Sequence, residues 1–231
     1  MRYSGCLFFG QSAEEQGVRT LNQQLAQIGF VLAVRWFRLG FAILGLTAVI
    51  VQLMKSTNVA NFFSFFTIQS NIIGIVMLFI GAIWAPRETR NWSLARGGAA
   101  IYLMLTGVIY NTLLVDITES LQTTIPWVND VLHKILPIVM LVDLVVVPMA
   151  NRIRWREATV WVVYPILYLV YSLIRGAIVD WYPYPFLDPR GDGSYLKVAL
   201  FSMLTLVIFL GVIWIITEFN AWRLRMRTGT A

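Results

Sequence analysis

The chain is poor in the side chains that build most soluble active sites. Its 231 residues include one cysteine, Cys6, and one histidine, His133. A single cysteine excludes an internal disulfide framework. One cysteine and one histidine also argue against a zinc or iron centre, so no metal site and no cofactor are expected. Charge is scarce as well. Asp, Glu, Lys and Arg make up 13% of the chain and hydrophobic residues 58%, whereas a soluble domain is about a quarter charged and about half apolar. This balance points to an integral membrane protein. A net charge of +6 raises the question of nucleic acid. The arginines, however, fall between apolar runs, where membrane orientation accounts for them, and no nucleic acid partner is expected. Residues 1–33 carry Glu14, Glu15, Asn22, Gln23 and Gln24 and lack an apolar stretch ending at a small-residue cleavage site, so no secretory signal is expected.

What is abundant is apolar sequence in long runs. A membrane span needs about 20 mostly apolar residues. Six stretches meet this: 34–54, 61–85, 97–115, 129–150, 158–178 and 196–218. Short connections make neighbouring helices antiparallel. The predicted fold is therefore an all-α bundle of six transmembrane helices over residues 34–218. Residues 1–33 are read as a cytoplasmic segment, partly helical along the membrane surface, and 219–231 as a basic cytoplasmic tail. Arginine sets the direction. One side collects Arg2, Arg19, Arg35, Arg38, Arg87, Arg90, Arg96, Arg152, Arg154, Arg156, Arg223, Arg225 and Arg227, and the other holds Lys55, Arg190 and Lys197. Positive residues favour the cytoplasmic side. Both termini are thus expected in the cytoplasm, and the chain in the inner (cytoplasmic) membrane as a multi-pass protein. The outer loops would be 55–60, 116–128 and 179–195.

Several polar residues interrupt the spans. At about 1.5 Å per helical residue, Thr67 lies roughly 9 Å and Asn71 roughly 15 Å below the outer boundary, with His133 and Asn111 about 6 Å and Arg175 about 5 Å deep. Thr67, Ser70, Asn71 and Gly74 share one helix face by their i, i+3, i+4, i+7 spacing. Tyr164, Tyr168, Tyr171 and Arg175 make a second stripe, and Asn129, Asp130, His133 and Pro137 a third. Polar groups in spans normally face the interior or a water-filled cavity. An internal polar pocket open toward the outer leaflet is therefore expected. The plainer account is that such residues simply hydrogen-bond one helix to another, and that the tyrosines pack. Asp143 lies deeper, with Arg35 and Arg38 as candidate partners for a structural ion pair. Pro137 is expected to kink the fourth span, because it cannot donate to the carbonyl four residues back.

Three segments carry a resemblance: "FFTIQSN" in the second span, "NDVLHKILP" at 129–137 and "WYPYPFLD" at 181–188. In this order, within six short-looped spans, they resemble the six-pass family that includes the androgen-induced and androgen-dependent membrane proteins of animals, and the chain looks like its bacterial branch. The resemblance covers about residues 34–218. It implies an intramembrane threonine hydrolase acting on fatty acid esters of hydroxy fatty acids or a similar lipid ester. Thr67 would be the nucleophile and His133 the base, with Trp181, Tyr182, Tyr184, Pro185 and Phe186 forming the aromatic outer motif. The spacing from His133 to Pro137 and the arginine at 175 depart from the animal pattern, which leaves the substrate open.

The residues can support that chemistry. A threonine hydroxyl needs a base within hydrogen-bond reach, and an imidazole titrating near 6.5 suits the role. Asn129 or Asp130 would orient it. Asn71, Asn111 and Arg175 are candidate oxyanion donors, Arg175 alternatively a clamp for a carboxylate, and Ser70 and Tyr171 further lining groups. The expected partners are the bilayer and a lipid ester. The rival expectation is a transporter or binding protein for a small amphiphile or anion, which holds its ligand in the same pocket without reaction. Against a transporter stand the lack of inverted repeats and of paired broken helices. A non-catalytic scaffold would leave the clustered ionisable groups unexplained.

Overall fold

The computed structural model describes residues 5–84, 89–114, 125–190 and 194–228, with side chains from residue 16 onward. Arg2, Arg87, the side chains of Cys6, Glu14 and Glu15, and most of the 116–128 loop lie outside the described residues. Every element among the described residues is helical. They are α1 (Gly5–Lys55), α2 (Val59–Phe63), α3 (Phe66–Ile83), α4 (Arg90–Ile109), α5 (Pro126–Asp130), α6 (Leu136–Val146), α7 (Trp155–Ala158), α8 (Val160–Val179) and α9 (Tyr195–Thr228). Wider π turns, Tyr110–Leu114 and Val131–Ile135, follow α4 and join α5 to α6. Five helical stretches are long and apolar enough to cross a membrane: Gln16–Lys55, Phe66–Ile83, Arg90–Leu114, Trp155–Val179 and Tyr195–Arg227. The segment from Pro126 to Val146 is not among these, and its charges, Asp130, Lys134 and Asp143, are spread along its length.

Helix α1 is continuous across residue 33, so residues 5–33 and the first apolar stretch form one helix. Its side chains are exposed from Gln16 to Ala33, and burial begins at Val34. The core is formed by α1, α3, α4 and α6 around Ile75, Leu103, Leu136 and Met140. Small residues let the backbones approach. A side chain at Gly107 would meet the ring of Pro137 at 3.1 Å and the His133 carbonyl at 3.3 Å, and this is how α4 reaches the π turn. The turn itself follows from Pro137. Lacking an N–H and crowding the carbonyl four residues back, proline disfavours regular α-helix here. The ladder instead widens, and the Leu136 N–H bonds to the Val131 carbonyl, five residues back. The expected kink is thus a π turn, and it releases the His133 carbonyl toward α4.

At one end of the bundle the charges are buried. Arg38 Nε lies 2.6 Å from Asp143 Oδ1, and Arg38 Nη2 and Arg96 Nη1 lie 3.2 and 3.3 Å from Oδ2. All three residues are buried. Of the two expected partners, Arg38 is one. Arg35 is not one: its guanidinium donates to the Ala82 and Ile83 carbonyls at the end of α3, where a cation suits the helix dipole. The second partner is Arg96.

Candidate functional site

The run from Phe62 to Asn71 was expected as regular helix within one span. It breaks at Ser64 and Phe65, where the latter is extended (φ −76°, ψ 130°), so that Phe66 begins α3. No proline or glycine causes this. Side chains enter the ladder instead. The Tyr168 hydroxyl donates to the Ser64 carbonyl at 2.9 Å and accepts the Phe66 N–H at 3.2 Å. Tyr184 accepts the Thr67 N–H at 3.2 Å. The Gln69 amide donates to the Phe63 carbonyl at 2.8 Å. Each of these backbone groups has found a partner, as burial in an apolar bundle requires.

The tyrosine stripe on α8 does most of this joining. Tyr164 donates to Gln69 Oε1 at 2.7 Å, Tyr171 lies 3.0 Å from Ser64 Oγ, and Arg175 donates to Asn61 Oδ1 at 2.7 Å. Arg175 also stands over the Trp181 ring, 5.2 Å from its centroid. Helix α8 is thus held to α2 and α3 by long side chains rather than by close backbone packing. The space that this leaves is a cavity of about 350 Å³ bounded by α3, α4, α8, α9 and the 184–187 turn. Phe66, Leu105, Ile109, Leu169 and Phe209 make much of its wall, and Thr67, Thr106, Tyr168, Tyr184, Ser202 and Thr205 are its polar members. Ile166 and Met203 on its rim are exposed, so the cavity opens sideways between α8 and α9.

Thr67 is the second residue of α3 and sits on this wall. Its Oγ1 lies 3.2 Å from the Tyr184 hydroxyl. Tyr184 is delivered by the loop after α8. Asp180 ends that helix in the left-handed region (φ 56°). Arg190 then gathers the loop, bonding Asp188 through both carboxylate oxygens at 2.8 and 2.7 Å, pairing with Asp180 and lying over the Tyr182 ring. Hydrogen bonding from that guanidinium holds the Asp188 carboxyl below its ordinary range. Tyr184 stacks on Phe186 and meets Phe65 edge-on.

His133 lies in the π turn, buried, with its ring stacked on Tyr110 at 4.1 Å. Its Nδ1 is 3.0 Å from the Asn129 carbonyl. A carbonyl only accepts, so Nδ1 carries the proton and Nε2 the free lone pair. The residue four positions back does orient the imidazole, but through its carbonyl, while its side-chain amide donates to the Tyr110 hydroxyl. The Thr67 hydroxyl bonds to Tyr184 and not to His133. The two are tied one step removed: buried Asn71 donates to the Thr67 carbonyl at 2.8 Å and to the Leu132 carbonyl at 3.0 Å.

The other expected site residues divide. Ser70 bonds to the Thr67 carbonyl and to Thr106 Oγ1, at 3.1 and 2.8 Å, and braces α3 against α4. Asn71 is likewise a brace, although its Oδ1 is buried without a partner. Asn111 is exposed and donates to the Gly107 carbonyl of its own helix. Asp130 forms an exposed pair with Lys134 at 2.6 Å. Arg175 and Tyr171 serve the α8 stripe. The expected polar pocket is therefore corrected: most of the polar groups satisfy one another, and the open space beside them is largely apolar. The residue that sequence reasoning left out of the chemistry is Tyr184, whose only signal was its place in the aromatic motif.

No protein-family model, curated protein or solved structure matches this chain.

Proposed function

We propose that the protein is an intramembrane lipid ester hydrolase of six spans, with Thr67 as nucleophile and His133 as general base. The segment from Pro126 to Val146 would be the sixth span, both termini cytoplasmic, and the site in the outer leaflet. The reading rests on one observation: a threonine hydroxyl on the wall of an apolar cavity that opens sideways between helices. A cavity of this size falls in the range of small-molecule sites, and its lining suits acyl chains. Thr67 also lies in the first turn of a long helix, whose N-terminal dipole favours negative charge developing nearby. The neutral His133 tautomer leaves Nε2 able to accept a proton. In this reading an entering ester displaces the Thr67 hydroxyl from Tyr184 and its proton passes to Nε2, a contact that forms only with substrate bound. The resemblance to the androgen-induced membrane protein family points to the same pair.

A second reading, an amphiphile carrier, is favoured by the position of His133 behind the cavity wall rather than on it. One experiment separates them. The detergent-purified chain is offered a panel of lipid esters beside Thr67→Ala and His133→Ala. The hydrolase reading expects turnover by the parent and a loss of about 10²-fold or more in each variant. Binding without turnover by all three favours the carrier.

A further inference from the structure

The two tyrosine hydroxyls that cap α3 are not equivalent. Tyr168 accepts the Phe66 N–H and donates its own proton to the Ser64 carbonyl at 2.9 Å, so its proton is committed. Tyr184 accepts the Thr67 N–H, the Phe66 N–H also acts on its oxygen, and its hydroxyl lies 3.2 Å from Thr67 Oγ1. The two hydroxyls share one hydrogen bond that either can donate, so one of their two protons is left for an oxygen placed beside Oγ1. Both Tyr184 and Thr67 line the same cavity, and Tyr184 is buried. The loop that carries it is fastened by Arg190 at its far end and packed at Gly176, where a side chain would collide with the Tyr182 ring.

From this we infer that Tyr184 is a catalytic residue, the hydrogen-bond donor to the ester carbonyl oxygen that Thr67 attacks. The inference rests on the proposed hydrolase reading and deepens it. Thr67 Oγ1 forms a bond to the carbonyl carbon, and the carbonyl π pair moves onto the oxygen. Tyr184 stabilises that oxyanion by donating a hydrogen bond and keeps its proton. The Thr67 proton goes to His133 Nε2. Collapse re-forms the carbonyl, breaks the carbon–oxygen bond to the leaving alkoxide, and the alkoxide takes the proton from His133. Water then enters by the same steps and frees Thr67. The Thr67 N–H polarises the phenol from behind, since donation into its oxygen strengthens the phenol as a donor. Burial separately raises the phenol above its ordinary range and keeps it protonated. A donor held in place before reaction suits an oxyanion, because no reorganisation is needed when the charge appears.

The test replaces Tyr184 in the full chain by Phe and by 3-fluorotyrosine and 3,5-difluorotyrosine, with Thr67→Ala in parallel. The probes are p-nitrophenyl octanoate and a fluorophosphonate. Tyr184→Phe is expected to lower kcat by about 10²-fold or more with KM little changed, and to lower the melting temperature as well, because the buried Thr67 N–H loses its acceptor, a loss the fluorotyrosines avoid. Across the fluorotyrosines kcat is expected to follow phenol acidity at constant KM, a trend that a merely packing tyrosine does not produce. Full kcat in Tyr184→Phe beside an inactive Thr67→Ala overturns the role of Tyr184 and leaves the nucleophile standing. Full activity in Thr67→Ala overturns the hydrolase reading itself. A parent that neither turns over the ester nor takes the fluorophosphonate overturns both.

Discussion

Around Asp143 both carboxylate oxygens are met by guanidinium groups, and all three charged residues are buried. Around Thr67 the polar groups are buried too, yet one hydroxyl pair faces a cavity. The first cluster joins α1, α4 and α6 and commits its carboxylate fully. The second joins α3 to a loop and leaves one proton of the Thr67–Tyr184 hydroxyl pair uncommitted. Buried polarity alone therefore does not mark a site. What marks it is a polar group with remaining hydrogen-bonding capacity beside space that a ligand can fill.

Variants can break this contrast. The largest expected effect at the Thr67 end is that of His133→Ala, which should lower ester turnover by about 10²- to 10⁴-fold and also lower the melting temperature, because it empties the buried site stacked on Tyr110; turnover per folded molecule, with parallel melting curves, checks both. At the other end, Asp143→Ala strands two buried arginines and should cost about 3–5 kcal/mol of stability. Denaturation in detergent measures this, and the fraction still folded should hydrolyse ester at the parental rate. Gly176→Ala forces the Tyr182 ring away and should cost about 1–3 kcal/mol. It links the two kinds of effect, since displacing the loop also moves Tyr184: stability and kcat should fall together. Tyr171→Phe removes only the bond to Ser64 Oγ and should cost about 1 kcal/mol, with kcat within twofold of the parent, because Tyr168 still holds the helix break.

Much of the scaffold was legible in the sequence, because apolar length and helical spacing are local signals. The α8 stripe from Tyr164 to Arg175 could be read from its spacing alone, and so could the Ser70 and Asn71 face of α3. Arg38 could be matched to Asp143 by depth. Arg96 was not matched, because it was placed at the cytoplasmic edge of its span rather than at the level of Asp143. The break before Phe66 was invisible for a different reason. Its cause is Tyr168 and Tyr184, about a hundred residues further along the chain, and the local sequence offers no proline or glycine. The same distance hid Tyr184, which reads as an interfacial aromatic until the loop is folded back on α3. Pro137 did signal the irregularity, which takes the form of the π turn.

The central claim is that Thr67 reacts. The most direct test incubates the full chain in detergent with the fluorophosphonate, digests it, and locates the adduct by mass spectrometry. The account predicts a single phosphonylated hydroxyl at Thr67, absent from Thr67→Ala and greatly slowed in His133→Ala. Ester hydrolysis that continues in Thr67→Ala, with the adduct on another residue or none, would contradict it.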